Sequence, residues 1–189
     1  MRRRNKEQTR QEILEATITL FSHKGLINTS TLQIADRAGV AHGTVFFHFP
    51  TRHELIIAAI YCAMGDLARK LDEKSRSTDN LKALCEIFIE EVDKNSRFYS
   101  SIVRDLPQLP LDVQRMVFAA LSAFSANFVD VIKKKQKAGK VRKFPPKLAV
   151  FYWFGLIHYI YSYPELLSSH ELFQKHKKEL IKLFIKSLK

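Results

Sequence analysis

The 189-residue sequence predicts an all-α protein of about nine helices. Two observations carry that prediction. Apolar residues recur at helical spacing along almost the whole chain, and no segment keeps the period of two that a half-buried strand needs. Six Gly and six Pro are too few for a sandwich or barrel of many tight turns, and Pro107, Pro110, Pro146 and Pro164 fall where one helical run gives way to the next.

The first helix is predicted over 9–24. Ile13, Leu14, Thr17, Leu20 and Phe21 make its inward face, and Gln11, Glu12, Glu15 and Ser22 its wet one. Thr9 and Glu12 have the spacing of a capping box, and Gly25 is placed to stop the helix. The second opens at Ser30 with Gln33 in the same relation, turns Ile34 and Ala38 inward and closes at Gly39. A short third helix covers 41–47. The fourth begins at Thr51, with Glu54 three residues on, and carries a stripe of Leu55, Ala59, Ala63, Leu67 and Leu71 to about residue 74. After a polar break over 75–80, five more helices are predicted over 81–94, 97–106, 111–137, 146–161 and 169–189. There is no internal repeat and no low-complexity tract.

Lys and Arg number 31 against 19 Asp and Glu, a formal charge of +12. A balance that basic points first to nucleic acid as a partner and second to an anionic membrane surface. Cys62 and Cys85 have neither CxxC spacing nor paired His, so neither a disulfide framework nor a metal site is expected. No cofactor motif is present. The opening MRRRNKEQTRQE lacks the apolar core of a secretory signal, and the longest apolar run, 148–163, is short of the ~20 residues of a membrane span. The expectation is a soluble cytoplasmic protein. No nucleophile has a base nearby in sequence and there is no phosphate-binding loop, so an enzyme is not expected and no catalytic residue is assigned.

The segment 30–49, STLQIADRAGVAHGTVFFHF, is the most informative. Two short helices flank Gly39, with Ala35 and Ala38 small enough to let them cross closely, which is how a helix-turn-helix is built. Gly43 weakens the third helix by roughly 1 kcal/mol relative to Ala. That cost in so short a helix suits close approach to a phosphate or base edge.

Over residues 10–55 the sequence resembles the DNA-binding head of the TetR (tetracycline-repressor) family of bacterial regulators. It carries TRQEIL, LF ahead of Gly25, TS, IADRAGV, GTVFFHF and Glu54-Leu55 in the family's order and spacing. The resemblance implies a helix-turn-helix domain over 1–50, an effector-binding and dimerisation domain over 51–189, and the helix 51–74 joining them. It also implies roles. Ser30 and Thr31 would meet phosphates, and His42, Gly43 and Thr44 would read base edges. Phe46 replaces a usual tyrosine whose hydroxyl grips phosphate. His48 would touch phosphate, and Arg52, in place of a usual lysine, would pair with it. Against these stand blander readings: His48 as a core histidine, Thr44 and His42 as plain surface residues.

The helix 146–161 is apolar all round. Leu148, Phe151, Tyr152, Gly155, Leu156 and Tyr159 share one face, and Val150, Trp153, Phe154, Ile157 and Ile160 another. One face can meet the chain's own core; the other needs a partner. The last helix sets Phe173, Leu180, Phe184 and Leu188 against a wet stripe of Gln174, Lys178, Lys182 and Lys186. A symmetric homodimer through these two helices is the simplest solution and is what the resemblance implies. The resemblance further implies an effector pocket in the body, for which Phe98, Tyr99, Phe124, Tyr152, Trp153 and His158 are candidates; their aromatics and few charges suit a small, mostly apolar ligand, and core packing is the alternative for each. The function expected is a ligand-responsive repressor released from a palindromic operator by that effector. The alternatives are a helix-turn-helix protein without effector sensing, or a basic membrane-surface protein. Arg2, Arg3 and Arg4 form an arm for the minor groove or a solubilising tail, and the lysine-rich 133–147 reads as a solvated helix end or a second polyanion patch.

Overall fold

The structure, a computed structural model, describes residues 6–163 and 169–189, so the arginine arm lies outside the described residues. All regular structure among them is helical. The helices are α1 (Lys6–Lys24), α2 (Thr31–Ala38), α3 (His42–His48), α4 (Arg52–Ser75), α5 (Leu81–Lys94), α6 (Ser96–Asp105), α7 (Leu111–Ala120), α8 (Ser122–Lys137), α9 (Pro146–Ser162) and α10 (Ser169–Ser187), with a 3₁₀ turn (Leu106–Gln108) after α6.

The boundaries follow from local chemistry. Ser30 caps α2 as expected: its hydroxyl accepts from the Gln33 N–H at 3.2 Å, and its own N–H donates to the Gln33 side chain at 3.1 Å. Gly39 ends α2 at φ 64°, the left-handed turn that a glycine makes without steric cost. Thr51 caps α4, accepting from the Glu54 N–H at 3.1 Å. Thr9 does not cap α1. The helix already runs from Lys6, and Thr9 is a buried residue within it.

The helix expected over 111–137 is two helices, which makes ten among the described residues rather than nine. The chain bends by 50° between α7 and α8. Leu121 has φ −95° and ψ 2°, and its N–H turns back to the Phe118 carbonyl at 3.2 Å. The buried side chains Val113, Val117, Leu121, Phe124 and Phe128 keep helical spacing straight through the bend. Neither Gly nor Pro marks it, so nothing in the sequence pattern betrays it. Gln174 also leaves its predicted wet stripe, donating to the Asp93 carboxylate at 2.8 Å.

Helices α1–α3 close a small head around Ile13, Phe21, Ile34, Val45 and Phe49, continuous with the body's core through α1 and α4. The body packs around Phe88, Phe124, Phe128 and Trp153. At its α4–α5 seam, burial pushes Glu91 toward its neutral form, but Lys74 and Lys94, each at 2.6 Å, outweigh this and hold its carboxyl below the usual range.

Head and body meet at the turn after α1. The Asp105 carboxylate, buried at the end of α6, accepts the N–H groups of Leu26 at 2.7 Å and Ile27 at 3.3 Å. Gly25 makes that approach possible. Its φ is +88°, and a Cβ there would lie 2.5 Å from Arg104 Nη2 and 2.8 Å from Asp105 Oδ2. Arg52 also holds the turn, donating to the carbonyls of Leu26 at 2.5 Å and Thr29 at 3.3 Å. The turn's donors are thus held by the body and its acceptors by the start of α4.

Candidate nucleic-acid interface

α3 is seven residues long and is held by one deeply buried side chain, Val45, with Phe49 beyond its end. The rest of it faces outward. His42 and Gly43 are exposed and Thr44 is half-buried. A Cβ built on Gly43 meets nothing within 4 Å, so the fold itself does not require glycine there. The starts of α2 and α3 are tied together by Thr31 Oγ1 and His42 Nε2, 2.9 Å apart. His42 in turn sits edge-on to Phe46 at 5.1 Å. These contacts order one exposed ridge carrying Ser30, Thr31, His42, Gly43 and Thr44. Ser30 Oγ accepts within the cap and keeps its proton for an outside acceptor.

Phe46 is partly exposed, with a ring where a phenol would offer a donor. Its neighbour Phe47, which sequence reasoning misses, is 68% exposed, with Lys6 over its ring at 5.1 Å. An exposed aromatic with an adjacent cation is a surface feature that only the rotation of α3 reveals. His48 is half-buried, and its Nδ1 is enclosed without a hydrogen-bond partner. Arg52 is committed to the two turn carbonyls, so in this structure it braces the head.

The six ligand candidates fall into separate neighbourhoods. His158 lines a groove of about 720 Å³ between the α7–α8 corner and α9, together with Phe118, Leu121, Val129, Phe151 and Phe154. Tyr99 is fully buried 5.7 Å from the His158 ring, with its hydroxyl unpartnered. Phe124 and Trp153 are core residues, packed on Phe88 and on Phe184. Phe98 faces the α1 side of the body, near Ile18 and Ser22. Tyr152 lies on the outer face of α9, edge-on to Phe184. Burial drives His158 down to about 4, so the imidazole is neutral at pH 7. Among the described residues no cluster of His, Cys, Asp and Glu could hold a metal ion. No single described helix is long and apolar enough to cross a membrane.

A three-helix head that presents its short third helix, set on a larger helical body, defines a helix-turn-helix DNA-binding transcriptional regulator. Residues 13–59 match the family model of the bacterial regulatory proteins, tetR family. Over 176 residues the chain is 27% identical to the HTH-type transcriptional regulator TtgR of Pseudomonas putida, covering 83% of each. Its fold is that of PfmR, a TetR family transcriptional regulator from Thermus thermophilus (TM-score 0.68, 16% identity, 94% and 98% of the two chains). It is likewise that of the transcriptional regulator FadR from Bacillus subtilis, solved in complex with stearoyl-CoA (TM-score 0.75, 16% identity, 93% and 97%). Residues 13–59 thus carry the head segment of the tetR family of bacterial regulatory proteins, and the relatives matched along the chain are transcriptional regulators.

Proposed function

We propose that the chain is a ligand-responsive repressor that binds a palindromic operator as a dimer and is released by a small, mostly apolar effector. The observation that carries this reading is the joint at Asp105. The last residue of α6 grips the head's first turn, while Tyr99 on the same helix lies against His158 and Tyr161 of α9, at 5.7 and 5.5 Å. A ligand that moves α9 thus has a packed route through α6 to the head, and it weakens DNA binding by its coupling free energy.

On this reading α3 enters the major groove with His42, Gly43 and Thr44 at base edges. Ser30, Thr31 and His48 meet phosphates, and Phe46 and Phe47 offer van der Waals contact beside them. Residues 1–50 act as the reading head and 51–189 as the sensing and dimerising body. The dimer forms through the outer faces of α9 and α10, where Leu148, Tyr152, Tyr159, Leu172 and Leu183 are exposed. Selection of bound sequences from random duplex DNA tests it. The expected product is a two-fold symmetric site with half-sites one or more helical turns apart; a single asymmetric site, or no enrichment, would reject it.

A further inference from the structure

The groove between α8 and α9 is graded in charge along its length. Residues 138–145 turn the chain back, so the C-terminal end of α8 and the N-terminal end of α9 lie together, and each contributes a lysine, Lys133 and Lys147. Asp130, 3.6 Å from Lys133, is the acid at that end; Lys147 has no acidic partner among the described residues. Eleven residues further along α9, about 16 Å at 1.5 Å per residue, His158 borders the groove as a neutral ring stacked on Phe154 at 5.9 Å. Its Nε2 is buried and unpartnered. Between the two ends the walls are Leu121, Val129, Val150 and Phe154, with Phe118 and Phe151 57% and 67% exposed at the lip.

Lys133 also borders a second, polar groove of about 340 Å³, where Arg76, Lys134 and Lys137 stand with Asp79 and Asp130. The apolar groove therefore runs out onto a charged surface in which cations outnumber acids. Its α9 wall of Lys147, Phe154 and His158 is set about a quarter-turn or more around the helix from Leu148, Tyr152 and Tyr159, with Phe151 and Gly155 between the two sets. The stripe assigned to the dimer thus borders the groove along its lip, while Lys133 and Lys147 stay exposed at its charged end.

We propose that this groove takes an amphiphile with one apolar tail and an anionic head group, a carboxylate or phosphate, the tail lying along α8 and α9 and the head at Lys133 and Lys147. The inference rests on the effector reading above and adds the ligand's chemical class. The volume suits a small ligand, and the cations stand at one end only, which orients the tail inward. A neutral chain would forgo those lysines, and a cationic one would meet them as like charges.

The test is calorimetric titration of the full chain with laurate, dodecyl phosphate, dodecanol and dodecyltrimethylammonium, each below its micelle-forming concentration. At least one anion is expected to bind ten-fold or more tighter than dodecanol, with the ammonium weakest; comparing the anions tells carboxylate from phosphate. Lys133→Met with Lys147→Met is expected to cut anion affinity at least ten-fold while leaving dodecanol within two-fold. Ala126→Trp, which fills the groove from an exposed wall position, is expected to abolish binding of all four. Equal affinity for dodecanol and the anions would overturn the anionic class and leave the effector reading standing. Anion binding that survives Ala126→Trp would place the ligand elsewhere. No binding of any compound, with DNA binding intact, would overturn the groove as the ligand site, whereas loss of effector sensing as such would show only if no ligand released the protein from its operator.

Discussion

At His158, burial works directly against charge. In the unfolded chain its imidazole titrates near 6.5, and in the folded one near 4. Between those values the unfolded state binds the extra proton, so folding is fully favoured above pH 6.5 and loses stability as pH falls toward 4. A gap of that size is linked to roughly 3 kcal/mol. The unfolding midpoint of the wild type is therefore expected to fall between pH 7 and pH 4.5 by more than that of His158→Phe. Superimposable pH profiles would show that this histidine is not the linked group. The sequence marks it as the one histidine of an aromatic-rich helix, but not its place beside the groove, which depends on how α9 crosses α8. That Phe124 and Trp153 are core is not legible either, because an aromatic at helical spacing looks the same whether it lines a cavity or fills one.

Among the elements, the turn between α1 and α2 holds the head to the body. Asp105 offers it one carboxylate oxygen and Arg52 a guanidinium. Asp105→Asn removes the charge from a buried acceptor of two backbone N–H groups and is expected to cost about 1–3 kcal/mol. Hydrogen exchange is expected to show the loss in residues 25–30 first, with the α8 and α9 amides unchanged. Unchanged protection of that turn would mean the carboxylate does not hold it. The elements themselves are legible where their signals are local: the Ser30–Gln33 box, the Gly39 stop and the Thr51 cap all form. The sequence conceals what depends on distant partners. Asp105 lies 79 residues from Leu26, nothing beside Arg52 in the chain points to the turn it braces, and Leu121 bends its helix without breaking the apolar period. Lys133 and Lys147 look like part of a solvated basic run, since only the α8–α9 crossing brings them to one groove end.

For the molecule as a whole, the unanswered surface is the outer face of α9 and α10. Tyr159 is 55% exposed and Leu183 66%, on helices whose opposite faces are core. A monomer would leave that apolar area in water. Tyr159→Glu with Leu183→Glu is expected to convert a sedimenting dimer to monomer, with helical content unchanged, since both side chains point away from the core. DNA affinity is expected to fall with it, because each head then binds its half-site alone. A double variant that sediments as the dimer would move the interface elsewhere.

If α3 is the reading element, Thr44→Ala combined with His48→Ala removes two of its DNA contacts at once. Thr44 stands at a base edge, where a good contact is worth roughly 1–3 kcal/mol, and His48 at a phosphate, whose loss weakens binding to every sequence. Fluorescence anisotropy on the selected DNA site is therefore expected to show specific affinity falling to the level of random duplex, while sedimentation still gives a dimer. Wild-type affinity for that site in the double variant would mean that the DNA is docked on some other surface than α3.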